Sequence, residues 1–391
     1  MCKEWETVSI GDICQAIYDG PHATPKKTSE GPIFLGISNL QNGQINLTDS
    51  EHLSEEDFIK WTRRVTPQEN DIVFSYETRL GEAALVPNGL KFCLGRRMAL
   101  MRPDKSKVEP RFLLYAYLGP EFQQTLQART VHGSTVDRIP LIEFPSFPIS
   151  LPPLPEQHAI AKVLGALDDK IELNRRMNAT LEAMARTVFQ RWFIDNEDVA
   201  NWKVGKLGDI AENIRHSVQP EDIEPGTPYI GLEHMPRGSI SLSDWGNSND
   251  ISSNKFYFKK GEFLFGKLRP YFHKVGIAPL NGVCSTDILI IMPKTQDWYG
   301  FVLGHISSVE VINYTNAAST GTKMPRTNWL DIANYGVPIP PIKIVREYTE
   351  IFLPMARQIL ANVMQSSTLA SLRDTLLPKL MRGEVRVKNI P

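Results

Sequence analysis

The chain has 391 residues, which is too long for one ordinary hydrophobic core and predicts two or three domains. Hydrophobic residues make up 42% and charged residues 22%, values typical of a globular protein, and no apolar run approaches the roughly 18 residues of a membrane span. The formal net charge of −1 excludes nucleic-acid binding through overall positive charge, so any such binding must come from local basic patches.

The N-terminal sequence MCKEWETVSIGDI has the pattern of neither a signal peptide nor a transit peptide. The chain has four cysteines, and none of them stands in a C-x-x-C pair. In a chain of this size, this usage predicts reduced thiols and a cytoplasmic location.

Two parts of the chain share a series of short blocks in the same order. The first pair is WETVSIGDI at 5–13 and WKVGKLGDI at 202–210. The further pairs are 34–37 with 229–232, 70–75 with 261–266, Cys93 with Cys284, 133–138 with 321–326, and 148–153 with 338–341. The offset between partners falls smoothly from 197 to 188, which chance matches would not do. The pattern predicts an internal duplication in which each half is a globular part of about 150 residues followed by a long helix.

Each globular part carries signals for both strands and helices. The runs DIVFSY at 71–76 and EFLFGKL at 262–268 predict buried strands. Segments 110–127 and 298–312 have the pattern of short helices. We therefore predict α+β domains, each with a strongly twisted sheet at its centre.

The stretch 151–195 predicts a long helix from Pro155 to Ile194, about 60 Å in length. Apolar residues recur at steps of three and four, the spacing of a seam that packs against another helix, and Asn174 and Asn178 fall in this seam. The charged residues of this stretch include both acidic and basic side chains, a mixture typical of a solvated face, and Asp168 and Glu182 are among the acidic ones.

A second helix is predicted from Glu347 to about Leu377. Pro354 is expected to kink or delay it, Pro378 to end or kink it, and Gly383 to stop it. Two such helices at equivalent places in a duplicated chain favour an antiparallel coiled-coil pair. In the alternative arrangement, each helix packs only on its own globular part.

Motifs for catalysis are missing from the sequence. The segment 261–268 resembles a phosphate loop but ends in Leu268 where a hydroxyl is required, and its apolar interior is typical of a strand. No G-x-G-x-x-G opens a helix, and the eight histidines stand singly, which argues against a dinucleotide or a metal site. Asp168 and Asp169 are an unconvincing nuclease pair on a mixed-charge helix. The sequence therefore favours a binding protein over an enzyme.

Two basic segments lie at equivalent places in the two repeats. Residues 79–105 carry a net charge of +4, and residues 255–274 carry +5. Arginine and lysine bind phosphates, and arginine also reads guanine edges in the major groove. Aromatic residues are interleaved with the charges, as base contacts require: Tyr76, Tyr271 and Phe272, together with His273. The segments predict contact with one polyanion at two places, and the alternative is an ordinary charged surface.

The glycine turns 133–138 and 321–326 each end in arginine. Backbone N–H groups in such turns are able to hold a phosphate, and the alternative is that the turns only connect strands. The candidate DNA-binding residues are Arg79, Arg96, Arg97, Ser134, Thr135, Arg138, Lys267, Arg269, Tyr271, Lys274, Thr322, Lys323 and Arg326.

The whole chain resembles the DNA-specificity subunit of type I restriction-modification systems. The resemblance rests on the duplicated halves, LPPLPEQ at 151–157 before a long helix, GKLRPY at 266–271, and the closing LLPKLMRGEV at 376–385. It implies two target-recognition domains at 1–150 and 196–340, each reading one half of a split DNA sequence. The helical segments 151–195 and 341–391 would then be spacers that fix the distance between the domains and dock methyltransferase subunits.

The resemblance also implies that this chain has no catalytic activity and no cofactor of its own. S-adenosylmethionine, ATP and Mg²⁺ would belong to its partners, which are two methyltransferase subunits and the restriction or translocase subunits; the other partner is double-stranded DNA, and no membrane is involved. The chain departs from the family pattern at 340–347, PPIKIVRE, which lacks the L-P-E-Q of the first helix. This difference predicts unequal docking surfaces on the two helices. A two-headed protein scaffold is the main alternative function, and a stand-alone nuclease or methyltransferase is the third.

Overall fold

The computed structural model describes residues 5–41, 43–47, 50–133, 136–319 and 324–387. The chain divides into two compact units. Unit 1 comprises Met1–Asp168 and Ser371–Pro391, and unit 2 comprises Asp169–Ala370. Because the division cuts both long helices, each unit contains a part of each helix.

Unit 1 combines short strands with short helices. Its strands are β1 (Glu6–Ser9), β2 (Cys14–Asp19), β3 (Lys27–Leu35), β4 (Leu40–Gln41), β5 (Gln44–Ile45), β6 (Glu51–Leu53), β7 (Ile72–Ser75), β8 (Ala83–Leu85), β9 (Phe92–Leu94), β10 (Met98–Pro103) and β11 (Pro148–Leu151). Its helices are α1 (Ile10–Ile13), α2 (Glu55–Trp61), α3 (Pro110–Leu118), α4 (Pro120–Ala128) and the first part of α5 (Leu154–Phe193), with 3-10 helices at Ile37–Asn39 and Phe144–Ser146.

An antiparallel sheet of strand order β2-β10-β7-β8 lies at the centre of unit 1. A smaller sheet, β6-β3-β9, contains a parallel pair, β3 with β9, and β1 pairs with β11. The core packs aromatic rings from the sheet and helices together; the Phe74 and Phe144 ring centroids are 4.8 Å apart, and Tyr117 is fully buried beside Phe74. The predicted helices at 110–127 correspond to α3 and α4, whose first residues are both proline.

Unit 2 repeats this order of elements. Its strands are β12 (Lys203–Lys206), β13 (Ala211–Ile214), β14 (Ser217–Val218), β15 (Pro228–Ile230), β16 (Gly246–Asn247), β17 (Lys255–Phe258), β18 (Phe263–Gly266), β19 (Val275–Ile277), β20 (Gly282–Cys284), β21 (Ile288–Pro293) and β22 (Gly336–Ile339). Its helices are the rest of α5, then α6 (Leu207–Ile210), α7 (Tyr299–Ile306), α8 (Val309–Ala318), α9 (Trp329–Ala333) and most of α10 (Ile342–Met381), with 3-10 helices at Glu197–Asn201, Pro220–Asp222, Leu232–His234, Pro270–Phe272 and Gln296–Trp298.

The sheets of unit 2 confirm the predicted duplication. Its central antiparallel sheet has the order β13-β21-β18-β19, element for element the order found in unit 1, and β12 pairs with β22 as β1 pairs with β11. Phe263, Leu264 and Phe265 in β18 are fully buried, so the phosphate-loop lookalike is a core strand.

The first long helix spans Leu154–Phe193, within one residue of the prediction at each end. The second spans Ile342–Met381 without interruption and begins before the predicted Glu347, so the expectations that Pro354 delays it and that Pro378 ends it are wrong. Pro354 and Glu350 both lie on the exposed side. The Glu350 carbonyl that loses an N–H partner is therefore able to bind water instead. Gly383, with φ of 65°, does lie just past the end of the helix.

Within unit 2, the two helices pack as the predicted antiparallel pair. Asn178 Oδ1 accepts from Asn362 Nδ2 at 2.8 Å, and Asn174 Nδ2 donates to Gln365 Oε1 at 2.9 Å and to Ser366 Oγ at 3.2 Å. Contacts thus move backward along α10 as they move forward along α5. Asn174 and Asn178 are buried, as the seam pattern predicted.

Two acidic residues that were expected on a solvated helix face have structural partners instead. In unit 1, the Asp168 side chain is 14% exposed, accepts from the Tyr115 hydroxyl at 2.6 Å and pairs with Arg373 at 2.8 Å. In unit 2, Glu182 accepts from Ser239 Oγ at 2.9 Å and from the Ile240 N–H at 3.1 Å, and burial raises its pKa. Helical spacing alone does not reveal partners supplied by the globular part.

The LPEQ motif fixes the start of α5 in unit 1. Gln157 is buried; its Oε1 accepts from the Glu109 N–H at 2.9 Å, and its Nε2 donates to the Pro152 carbonyl at 2.8 Å. In the second repeat, with the offset of 188, Val345 stands in its place and is fully buried in an apolar core. The second helix lacks the L-P-E-Q motif because its start is held by apolar packing of Val345, where the start of the first helix is held by the hydrogen bonds of Gln157.

Candidate nucleic-acid interface

Three segments that carry candidate residues meet at the end of the central sheet of unit 1: the turn 76–79 after β7, the turn 95–97 before β10, and 136–139. Main-chain hydrogen bonds join them. The Tyr76 N–H donates to the Arg97 carbonyl at 3.1 Å, the Ile139 N–H donates to the Tyr76 carbonyl at 2.8 Å, and Glu77 forms a β-bridge with Arg138. We call this arrangement the three-segment site of unit 1.

Two arginines of this site are held by neighbouring side chains. Arg97 Nε lies 3.3 Å from Glu77 Oε2, and its Nη1 donates to Thr78 Oγ1 at 3.1 Å. Arg79 donates to Glu82 at 2.9 Å and to the Ile37 carbonyl at 3.3 Å. Arg97 and Thr78 have φ values of 68° and 70°, a left-handed conformation that is uncommon for residues other than glycine. Such outliers cluster at binding sites.

The other two arginines point to solvent. Arg96 and Arg138 are exposed, and neither side chain has a hydrogen-bond or ion-pair partner in the part of the chain that the structure describes. Arg96 and Arg97 border an open cavity of about 360 Å³ whose polar lining includes Ser38 and Asn39. The unpaired guanidinium groups are free to bind phosphate or a base edge.

Unit 2 builds the same main-chain arrangement at 267–269, 285–287 and 325–327. The Lys267 N–H donates to the Asp287 carbonyl at 2.9 Å, the Thr327 N–H donates to the Lys267 carbonyl at 3.0 Å, and Leu268 forms a β-bridge with Arg326. Each bond has its counterpart in unit 1. We call this the three-segment site of unit 2.

The side chains of the second site differ from those of the first. Arg326 pairs with Asp287 at 3.1 Å. Lys267 is half-buried beside them; burial lowers the pKa of its ammonium group, Asp287 raises it, and Arg326 and Arg215 lower it. Two units with one backbone framework therefore present different donors and acceptors.

A short aromatic turn adjoins the site of unit 2. The 3-10 helix Pro270–Phe272 is flanked by Arg269 and His273, both left-handed with φ of 50° and 52°. Tyr271 is 49% exposed, and its ring contacts the Phe272 ring at a centroid distance of 4.7 Å. Arg269 and Lys274 both lie 5.9 Å from the Phe272 ring.

Other cations of the two basic segments have structural partners. Arg102 pairs with buried Asp71 at 2.7 Å, Lys91 with Glu55 at 2.6 Å, and Lys255 is buried and donates to Ser253. Tyr76, expected to contact bases, is 4% exposed and belongs to the core, so that expectation is wrong. The sequence shows charge and aromaticity but not which side chains the fold buries.

Sequence reasoning missed Arg237, an exposed residue whose guanidinium carbon lies 4.3 Å from the Phe272 ring centroid. It stands alone in the sequence, between Pro236 and Gly238, so no charge pattern marks it. The candidates Ser134, Thr135, Thr322 and Lys323 lie outside the described residues.

The described residues contain no group of three or more His, Cys, Asp or Glu side chains able to hold a metal ion. Within those same ranges, no helix has both the length and the apolar character needed to cross a membrane.

Residues 2–183 match a family model described as the type I restriction modification DNA specificity domain. This match covers the first repeat and most of α5. The type I restriction enzyme MjaIX specificity subunit of Methanocaldococcus jannaschii is 25% identical over 99% of this chain and 95% of its own length. Residues 2–183 therefore belong to the type I DNA specificity domain family, and the whole chain is similar to a type I specificity subunit.

Further comparisons agree with this family membership. The EcoDI specificity subunit of Escherichia coli is 25% identical over 75% of this chain and 74% of its own length. The crystal structure of an S subunit of a type I restriction-modification system from M. genitalium superimposes with a TM-score of 0.59, at 16% identity and over 99% of this chain and 97% of that one. The latter similarity concerns the fold, which is the α+β arrangement with a long helix pair that the sequence predicted.

Specificity subunits are the non-catalytic members of type I systems, so the prediction of a non-enzyme is confirmed by family membership. The relatives compared above are named specificity subunits or S subunits, and the matching family model is named for DNA specificity, so these comparisons do not favour the scaffold alternative.

Proposed function

We propose that this specificity subunit reads a bipartite DNA target with an unread gap and directs methyltransferase and restriction subunits to it. The observation that carries the proposal is the three-segment site, which occurs twice on one backbone framework with different side chains. Two readers of different chemistry suit two different half-sites.

In this proposal, residues 1–150 and 196–340 are the target-recognition domains, and residues 151–195 and 341–391 are the helical spacers that also dock the partners. Apart from Arg79, the proposed DNA-binding residues are those predicted from the sequence. Among them, Arg96, Arg138 and Tyr271 are supported by their exposure, whereas Arg79, held by Glu82 and the Ile37 carbonyl, serves to orient its turn.

The proposed partners are double-stranded DNA, two methyltransferase subunits and the restriction or translocase subunits. S-adenosylmethionine, ATP and Mg²⁺ act in those subunits and not in this chain. Because its substrate is cellular DNA, we place the complex in the cytoplasm.

The test is sequencing of modified bases in cells with the gene, without it, and with the gene restored. We expect methylation at one split motif to vanish on deletion and to return on restoration. Methylation that is unchanged while the gene and its methyltransferase partner are expressed would contradict the proposal.

A binding measurement separates DNA targeting from a protein scaffold. Phosphate contacts release counterions, so the affinity of the assembled complex for DNA should fall steeply as salt increases. A scaffold whose basic residues are only surface would show no such dependence.

A further inference from the structure

The Phe272 ring in unit 2 is surrounded by three cations. The Arg237 guanidinium carbon lies 4.3 Å from the ring centroid, the Arg269 guanidinium carbon lies 5.9 Å from it, and the Lys274 ammonium lies 5.9 Å from it. We call Phe272 and these three residues the Phe272 cluster.

The cluster lacks a compensating carboxylate. None of its three cations forms an ion pair within the described ranges, although Glu233 is near enough to raise the pKa of Lys274. Burial and then Arg237 lower that pKa, which reflects the loss of solvent and the repulsion between like charges. Three cations with one nearby carboxylate leave net positive charge around the ring, which favours binding of an anion.

The backbone holds the cluster in place without using the charged groups. The Arg269 N–H donates to the Pro325 carbonyl at 2.8 Å, and the Gly238 N–H donates to the His273 carbonyl at 2.9 Å. His273 Nε2 lies 2.8 Å from the Ser307 carbonyl oxygen, and this contact holds the C-terminal end of the turn Pro270–Phe272. The guanidinium of Arg237 is thus presented by two joined loops rather than by a mobile chain end.

The donors of the cluster are only partly engaged. Arg237 stacks on the Phe272 ring, and stacking leaves the N–H groups at the edge of a planar guanidinium free. The buried Nε of Arg269 has no hydrogen-bond partner among the described residues. Lys274, in contrast, donates to the Leu232 carbonyl.

We infer that the Phe272 cluster anchors a DNA phosphate beside the three-segment site of unit 2, with Arg237 as a phosphate-contacting residue. This inference rests on the proposed function and adds a residue to it. The cluster lies next to Lys267 and Arg326 in the fold, so a duplex held there places its base edges at the reading site. Arg237 positions the duplex and does not select bases.

The test compares Arg237→Gln with the wild-type chain in the assembled complex with its methyltransferase subunits. Affinity is measured for the target duplex and for an unrelated duplex of equal length across a salt series. We expect Arg237→Gln to weaken both affinities by the same factor and to reduce the slope of log affinity against log salt by about 0.9. The methylated motif should stay the same.

Two variants serve as controls. Arg237→Lys keeps the charge, so it should keep the salt slope while losing affinity with the planar stacking. Lys203→Gln removes one positive charge from an exposed residue of β12, a strand outside both basic segments and outside the three-segment site, and should leave the slope unchanged.

An Arg237→Gln slope equal to that of the wild type, or a changed methylation motif, overturns the phosphate role of Arg237 and leaves the proposed function intact. If the wild-type complex does not distinguish the two duplexes, the proposed function itself fails. Because Arg237 is exposed, a thermal melt equal to that of the wild type is expected and excludes misfolding as the cause.

Discussion

At the scale of single residues, the two three-segment sites differ in which segment carries the arginine of the ion pair and which carries the acidic residue. In unit 1, Arg97 lies on the turn before β10 and is held by Glu77. In unit 2, the matching turn carries the acid, Asp287, which holds Arg326 from another segment. Since guanidinium and carboxylate groups pair with different base edges, the proposed half-sites should differ in sequence.

A second pair of equivalent residues lies in the cores. With the offset of 188, Tyr117 in α3 corresponds to His305 in α7, and both are buried among aromatic rings. The Tyr117 hydroxyl and His305 Nε2 have no hydrogen-bond partner within the described ranges. Each repeat thus keeps a polar ring where an apolar side chain would suffice.

Burial lowers the pKa of His305 from 6.5 to about 3, so this residue makes stability depend on pH. The unfolded chain gains a proton below pH 6.5, whereas the folded chain does so only near pH 3, and stability is therefore lost as the pH falls between these values. We expect His305→Leu to unfold like the wild type at pH 8. At pH 5 it should be more stable by up to about 2 kcal/mol, measured by urea unfolding.

The matched control is His22→Gln, because the His22 side chain is 69% exposed. It should reproduce the pH dependence of the wild type. Equal pH dependence of His305→Leu and the wild type would show that His305 is not the titrating group.

The sequence did not predict which candidate side chains are buried or paired, because burial and pairing depend on residues that are distant along the chain. Candidates on turns, such as Arg96 and Arg138, are exposed as expected. Tyr76 was expected to contact bases and Arg102 was counted in a basic segment, but the first packs in the core and the second pairs with Asp71. Burial depends on tertiary contacts, which neither composition nor spacing contains.

At the scale of elements, long periodic segments were the most predictable. The bounds of α5 follow from its proline start and its seam, whereas α10 was wrongly expected to be delayed by Pro354 or ended by Pro378. A proline costs a helix one hydrogen bond and a steric contact, but packing along 40 residues outweighs that local cost.

Pro354→Ala should therefore stabilise the chain. The substitution restores an N–H donor to the Glu350 carbonyl and removes the steric contact of the proline ring, which should raise the free energy of unfolding by up to about 3 kcal/mol. The unfolded chain becomes more flexible without the proline, and this lowers the gain by up to about 1 kcal/mol. We expect a net gain of about 1–2 kcal/mol in urea unfolding.

Pro341→Ala is the matched control, because Pro341 directly precedes the first residue of α10, where proline is well tolerated. It should bring no gain. A Pro354→Ala variant no more stable than the wild type would mean that water already replaces the missing bond at no cost.

The buried amides in the helix pair have a different role from that of the apolar seam. A shift of α10 along α5 would separate Asn178 from Asn362 and leave buried polar groups unpaired. Apolar side chains tolerate such shifts, whereas a paired amide favours one register.

At the scale of the whole molecule, the helix pair is proposed to set the spacing of the half-sites. Deleting one heptad from each helix, residues 167–173 and 367–373, removes about 10 Å of rise while keeping the buried faces in phase. It removes Asp168 and Arg373 together, so neither charge is left unpaired. We expect a gap shorter by about three base pairs, or no recognition, in a map of modified bases.

Lys170→Gln, which keeps the helix length, should leave the gap unchanged. If the deletion variant retains the original gap, the helices do not set the spacing.

The main-chain bonds that join the three segments of each site have a consequence for inheritance. Any L-residue other than proline is able to form them, so substitutions at positions such as Arg138 or Arg326 leave the framework standing. In the proposed function, this one chain determines the DNA target sequence for both methylation and cleavage. A single substitution that changes the target would then change it for both activities at once. Cells that inherit the substitution would therefore methylate the same new sequence that their restriction subunits cleave.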